Sequence, residues 1–454
     1  MNLIMWIILV SCNLILAFTL SLAAEPHNHV IIENTFPPSK LTDPQVTGLA
    51  KEYRRRQFQF ALLVSAVEAV LLLPIRDFWF MLLFFMMLFL SIGTAYFLQI
   101  RYIRKMRQLI EDNHWQLEEA PVQINTQLVL KKNEKLVSWK WFILAVLLNG
   151  GMFFLTRSIS GSFLIFLTIL LVEALMVWGW YFVGRLPVRA LTSNQEINRQ
   201  YNDLTKYYWS FLMVVAGGLI PLMVYLPLLS MDLWQDQFAL LTTLEVALLL
   251  FIVIFTFGWL MALRGKQDKL LAQAEDFRYQ GDDYYWRYGI YYNPNDTRFL
   301  VPDRIGLNLT FNMATTSGKV MLGISGVILV VAMITSTVPM YILDYHPDPF
   351  VYSVDNQEVT LDGPFLRERQ IPLDDIQQVS LVEELGRGVK TNGFATDQYA
   401  MGNFRLSGRA SDLLVIKASQ SILKIETSDR DYYFTSKKPQ ETEEAYREIE
   451  QVLK

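Results

Sequence analysis

Eight apolar stretches, each about as long as a bilayer core is thick, leave this chain little choice of fold. They run from Leu3 to Ala23, Gln57 to Ile75, Phe78 to Ile100, Trp139 to Leu155, Phe163 to Val183, Tyr207 to Leu229, Phe238 to Leu263 and Val320 to Leu343. A helix that crosses the hydrocarbon needs roughly 17–25 apolar residues. Hydrophobic residues make up 52% of the 454, and they gather in these blocks instead of spreading through one globular core. The expected class is therefore an α-helical polytopic membrane protein with about eight transmembrane helices in residues 1–345. Trp79, Trp139, Trp141, Trp178, Trp180, Trp209 and Trp259 fall near the proposed ends, where amphipathic rings favour the headgroup layer.

Lys and Arg set the expected orientation. Lys51 and Arg54–Arg56 precede the second stretch, Arg101, Arg104, Lys105 and Arg107 follow the third, and Arg185, Arg189, Arg199 and Lys206 separate the fifth from the sixth. The short connectors PIRD and TRSISGS hold one Arg each, Arg76 and Arg157, and SMDLWQDQ holds none. The positive-inside rule puts these three turns outside and, with them, both termini. The first stretch ends in small residues like a signal peptide, but it lacks a basic leader, and cleavage would strand KEYRRR outside; an uncleaved first span is expected. A net charge of −4 gives no reason to expect a nucleic-acid partner. With Cys12 as the sole cysteine, no internal disulfide can form.

From Phe350 to Lys454 the pattern changes. Val359/Leu361, Val379/Leu381, Leu423/Ile425 and Tyr432/Phe434 alternate with polar residues, and Asp362-Gly363, Asn392-Gly393 and Ser428-Asp429 read as turns. The tail KKPQETEEAYREIEQVLK reads as an amphipathic helix with Ala445, Tyr446, Ile449 and Leu453 on its apolar face. Strands followed by one helix predict a small all-β barrel with a helical plug. The stretches PLDDIQQVSLVEEL, KTNGFATDQYAMGNFRLSG and SDLLVIKAS resemble bacterial pleckstrin-homology-like (PH-like) domains joined to membrane spans. That resemblance implies two roughly orthogonal sheets with a C-terminal helix across the open end. It does not bring lipid binding with it: 13 Lys and Arg face 18 Asp and Glu from Phe350 onward, and no basic pocket for anionic headgroups stands out. The segment from Gly386 to Gly402 is long for a simple hairpin connection, which makes Lys390, Thr391, Asn392, Gly393 and Gly402 a candidate recognition loop for a protein or peptide partner. A structural role in barrel closure is the alternative.

GIYYNPNDTRFLVPDRIGLNLTFN, FPPSKLTDPQVTGLAKEYRR (Phe36–Arg56) and NTQLVLKKNEKLVSWKWFIL (Asn125–Leu144) are similar to segments of the bacterial multi-span proteins related to the SdpI-type toxin-immunity family. The first belongs to a connector, 281–319, that carries an unusual number of rings. It is expected to be an ordered cytoplasmic element, with turns at Asn293-Pro294 and Val301-Pro302 and rings at the headgroup boundary. The chain departs from that family in one respect: where the relatives carry an extracellular Ile-Pro-x-His segment, it has TRSISGS, so no residue of that motif transfers.

No HExxH, GxSxG, phosphate-binding loop or zinc-spaced Cys/His set occurs, and neither enzyme activity nor a cofactor is expected. His27-Asn28-His29 reads as a solvated turn in preference to a metal site. The sharper signal is three carboxylates inside apolar stretches, Glu68, Glu173 and Glu245. A charge near the bilayer centre costs at least about 2.5–3.5 kcal/mol, so each should face a bundle interior or a cavity. They are read either as a relay or polar site lining one outward cavity, or as packing groups bonded to neighbours such as Ser65, Asn149, Thr168 or Thr242. The expected function is binding or sensing at the cell surface, with peptide-toxin immunity or envelope defence as the leading case. Proton- or cation-coupled transport of a small solute through the glutamates is the alternative.

Overall fold

The computed structural model describes residues 2–119, 131, 133–159, 161–229, 238–355, 357–386, 388–419 and 421–454. The expected outer turn at 230–237, and residues 125–130 of the third stretch with family resemblance, lie outside the described residues. The chain forms two compact units. One comprises Met1–Ser11, Ser65–Leu90 and Ser325–Lys454, the other Cys12–Val64 and Ser91–Ile324.

The helices in chain order are α1 (Asn2–Ser21), α2 (Pro44–Val67), α3 (Asp77–Asp112), α4 (Trp141–Thr156), α5 (Ser162–Arg185), α6 (Gln195–Leu228), α7 (Phe238–Leu271), α8 (Thr316–Tyr345) and α9 (Pro439–Leu453). Among the described residues, six segments are long and apolar enough to cross a membrane: Asn2–Ala24, Asp77–Asp112, Ser162–Arg185, Gln195–Leu228, Leu240–Leu271 and Thr316–Tyr345. Two of the eight expected spans fall short of that measure. The first half of α2 carries Lys51, Glu52 and Arg54–Arg56, and after Val67 the chain tightens into a 3₁₀ turn, Glu68–Leu72, two residues before Pro74. The other, α4, has 16 residues. Apolar side chains face outward along the long helices. In α8, Val327, Ile328, Leu329, Val330 and Val331 are all at least half exposed, a surface suited to lipid and costly in water.

Sequence-local chemistry sets the helix ends. The Asn194 side chain accepts from the amides of Glu196 and Ile197 at the start of α6, satisfying two of the N–H groups that a helix leaves open. At the end of α5 the buried Lys206 ammonium donates to the carbonyls of Val183, Gly184 and Leu186 at 2.6–2.9 Å, which satisfies orphan carbonyls and complements the negative end of the helix dipole.

The C-terminal module contains a three-stranded sheet and a six-stranded sheet. The first has the order β5 (Val351–Val354), β6 (Glu358–Asp362), β7 (Arg369–Pro372), numbering strands after the short pairs Val30–Ile31 with Asn34–Thr35 (β1, β2) and Leu300–Pro302 with Leu309–Phe311 (β3, β4). The second comprises β8 (Ile376–Val382), β9 (Gly388–Ala395), β10 (Tyr399–Leu406), β11 (Arg409–Ile416), β12 (Ile422–Thr427) and β13 (Asp431–Phe434), in the order β8-β12-β13-β11-β10-β9. Only β11 and β13 pair in parallel within it. One core joins Phe350, Val359, Leu361, Ile371, Met401, Leu414, Leu423, Ile425 and Phe434 with Ala445 and Ile449 of α9. A second cluster (Phe404, Leu413, Val415, Ile422 and Tyr433 among others) is also buried. The alternation read from sequence thus marks real strands, and the module holds the two sheets and the C-terminal helix that the PH-like resemblance implies.

The candidate recognition loop is not a loop. Gly388–Ala395 and Tyr399–Leu406 pair along their length, with Asn403 opposite Asn392 and Phe404 opposite Lys390, so Thr391 forms a bulge. Asn392-Gly393 is therefore not a turn. Gly393 and Gly402 face each other at φ +115° and +107°, and a Cβ on Gly402 would lie 2.5 Å from the Asn392 carbonyl oxygen. Only glycine fits so close a crossing of two backbones. Chain connection is left to Thr396–Gln398.

Candidate functional site

The most unusual geometry lies in the segment that the sequence presents as a plain tail after the first span. Val30 and Ile31 pair with Thr35 and Asn34 across Ile32-Glu33, and His27 pairs with Val30 across Asn28-His29. Asn28, His29, Ile32 and Glu33 have φ of 51°, 64°, 45° and 58°. Two-residue turns with both central φ positive match the twist of a hairpin, but they favour Asn-Gly, and a β-branched residue there is strained. Each such residue costs on the order of 1–3 kcal/mol and persists only where its surroundings over-determine it.

Those surroundings are explicit. Ile31 and Ile32 are buried among Phe36, Val46, Tyr53, Ile103 and Met106. The Ile32 amide donates to the Ala23 carbonyl at 2.7 Å, and the Asn34 side chain donates to the carbonyls of Ile32 and Ile103 at 2.7 and 3.1 Å. Arg304, from the β3–β4 hairpin, then clasps the segment. Its guanidinium donates to the Glu33 carbonyl at 2.8 Å and to Asp283 at 2.6 Å, and it pairs with Asp282. Asp283 also accepts from the amide and hydroxyl of Thr35 at 3.0 and 2.6 Å, and Arg107 donates to its backbone carbonyl. Burial works against the Asp283 carboxylate, but Arg304 and the Thr35 bonds outweigh it and hold its pKa below the usual range. The Glu33 carboxyl has no such help. It is buried, its Oε2 has no hydrogen-bond partner among the described residues, and burial pushes its pKa up to about 8 against the opposing pull of Arg304.

A second clasp lies beside the first. His27 Nδ1 is 2.9 and 3.1 Å from the Asp268 oxygens, and the Asn28 amide group donates to His27 Nε2 at 2.9 Å and to the Tyr201 hydroxyl at 2.8 Å. Nε2 is thus an acceptor and Nδ1 carries the proton, the neutral tautomer. Burial keeps the His27 pKa below the ordinary imidazole value despite Asp268. Arg264 donates to the carbonyls of Leu22, Glu25 and Ile305. Gly306, at φ +80°, leaves room for the imidazole, since a Cβ there would lie 2.5 Å from Nε2. A cavity of about 30 Å³ lies beside His27, Lys206 and Asp303, room for about two waters. Burial raises the pKa of Asp303 in its wall to about 6. The solvated turn expected at His27 is thus a turn, but a buried one. Its partner Asp268 is 241 residues away in sequence, and no local signal links the two.

The aromatic connector has local structure of its own. Asp283–Trp286 forms a 3₁₀ turn, and Trp286, Tyr291 and Val301 form their own buried cluster, with the Trp286 and Tyr291 rings 5.1 Å apart. A turn occurs at Pro294-Asn295, but Val301 and Pro302 lie within β3 and pair with Thr310 and Leu309, so no turn forms there.

The three glutamates singled out in the sequence have different surroundings. Glu173 is buried, its Oε2 accepts from the Asn149 side chain at 3.4 Å, and Asn149 accepts from the Tyr225 hydroxyl at 3.2 Å. Glu173 Oε1 has no hydrogen-bond partner among the described residues. Glu245, in the same unit, is half-buried on α7, and the hydrogen-bond partner of Glu173 is Asn149 instead. Glu68 is buried in the 3₁₀ turn of the other unit.

In the unit that holds the C-terminal module, the last helix is closed by the module itself. The Tyr399 hydroxyl donates to the Leu343 carbonyl at 3.0 Å, and Lys437 Nζ donates to the carbonyls of Asp344 and His346 at 3.2 and 2.6 Å. Residues 350–449 match the family model described as a bacterial PH domain. No curated protein and no solved structure matches the chain.

Proposed function

We propose that the chain is a non-enzymatic, eight-span membrane protein with both termini outside the cytoplasm, whose PH-like module binds or senses a protein or peptide at the cell surface. One observation carries this reading: Tyr399 and Lys437 cap the carbonyls that end α8, so the module is fixed to a membrane helix and not hung from a tether. A ligand that shifts the module thereby acts on α8, and four residues separate the start of α8 from the β4 strand of the connector. The excess of Asp and Glu in the module suits a cationic peptide. The orientation rests on the basic connectors Lys51–Arg56, Arg101–Arg107 and Arg185–Lys206, which the positive-inside rule keeps in the cytoplasm. Defence against a secreted peptide toxin is the setting that the resemblance to SdpI-related proteins favours. In protoplasts, added protease should remove Phe350–Lys454, and deleting the gene should sensitise cells to at least one envelope-active cationic peptide. Unchanged sensitivity across a broad panel sinks the defence reading.

The orphaned Oε1 of Glu173 favours a second reading, proton- or cation-coupled transport of a small solute, since a buried polar atom without a partner is rare and calls for a reason. Gln at Glu68, Glu173 and Glu245 together keeps the shape and removes the titration. Transport should then lose its dependence on the proton gradient; full activity in the combined variant ends the relay idea.

A further inference from the structure

The groove between the ends of α6 and α7 is lined by Lys135, Lys266 and Lys269, with Leu204, Tyr207 and Leu270 forming its apolar side, and has a volume of about 560 Å³. All three lysines are exposed and none forms an ion pair among the described residues. Among the described residues the acidic side chain in the wall is Asp203, which pairs with Arg199 at 3.5 Å; Arg199 also pairs with Glu196, and Glu134 acts on both, so the three lysines and Arg199 outnumber the three carboxylates. A net positive charge therefore remains. Its height along the helices is set independently by an aromatic stack: Tyr207 lies 6.0 Å from Phe211, and Phe211 lies 4.6 Å from Trp259. Such rings concentrate at the headgroup boundary, and the apolar parts of both helices begin on their far side.

We infer that this groove binds the headgroup of an anionic phospholipid, with the three ammonium groups on its phosphate and the acyl chains running down past Tyr207 and Phe211. Basic pockets between membrane helices have the chemistry for such headgroups. The occupant is a lipid and not free phosphate because the apolar side of the groove continues into the aromatic stack, which a bare anion would leave unused. The inference requires only that α6 and α7 lie in a bilayer; it stands whether or not the module recognises a peptide.

The test uses the full chain in nanodiscs of dioleoyl phosphatidylglycerol mixed with dioleoyl phosphatidylcholine, with retained lipid counted by native mass spectrometry. Wild type should retain the anionic lipid at least about tenfold over the zwitterionic one, and the combined Lys135→Gln, Lys266→Gln, Lys269→Gln variant should fall to within about twofold. If the triple variant does not fold, Lys269→Glu alone should lower the preference in the same assay. Equal retention of both lipids by wild type overturns the inference, as does a preference that survives the substitutions. Displacement of the lipid by millimolar inorganic phosphate also overturns it, assigning the groove to the free anion.

Discussion

Replacing Arg304 with methionine is expected to destabilise the folded protein by about 3–5 kcal/mol, the largest effect of any single substitution considered. The guanidinium is 6% exposed and faces Asp282 and Asp283, whose side chains are 37% and 17% exposed. Removing it leaves Asp283 as a largely buried carboxylate that keeps its Thr35 bonds but has lost its cation, and it frees the Glu33 carbonyl that Arg304 had satisfied. The strained turn at Ile32-Glu33 then loses its guanidinium and keeps apolar burial, backbone bonds and the Asn34 side chain, while Asn28-His29 keeps Asp268 and Tyr201. Lysine at the same position restores the charge but not the planar fork that reaches two carboxylates and a carbonyl at once, so it should recover part of the loss. Thermal unfolding of the full chain in detergent measures the stability, and limited proteolysis within residues 25–36 locates the damage. A loss below about 1 kcal/mol would mean that the pair behaves as a surface ion pair.

The fold is legible in the sequence where one physical requirement dominates and illegible where partners are remote. Apolar length alone marks α1, α3, α5, α6, α7 and α8, because in lipid nothing else competes with it. The α2 region was harder, since charge in its first half and Pro74 after it leave fewer than twenty apolar residues for the same helix. Alternation marked β6, β8, β12 and β13 correctly. Asn392-Gly393 misled because the dipeptide that most favours a hairpin turn also suits a bulge, and what decides between them is Gly402 on the facing strand. The buried clasp was illegible for a different reason. Nothing in HNHVIIEN announces four positive φ angles without a glycine, and the residues that enforce them, Asp268, Asp283 and Arg304, lie more than two hundred positions away. The rings of the connector were a usable clue, since aromatic density argues for order, but they could not say what the connector holds.

The second large effect concerns pH. With a carboxyl pKa near 8 in the folded protein against 4.5 when exposed, Glu33 works against folding at neutral pH. Below about pH 4.5 both states hold its proton and it contributes nothing. Between there and pH 8 the unfolded chain releases the proton while the folded one keeps it, so stability falls as pH rises; by linkage the deficit is on the order of 3 kcal/mol at pH 7. Glu33→Gln keeps the shape and removes the titration. The variant should therefore match wild type near pH 4 and unfold at a higher temperature from pH 7 to 8, with the gap widening steadily between. Arg304 pulls the Glu33 pKa down and Asp282, Asp283 and Asp303 push it up. Those groups are present in both proteins, so the titration of Asp303 near 6 largely cancels in the difference. A gap that stays constant with pH would show that Glu33 is ionised in the fold and already satisfied by Arg304. The same substitution would then cost stability at neutral pH instead of adding it, and the sign of one melting-point difference at pH 8 separates the two cases.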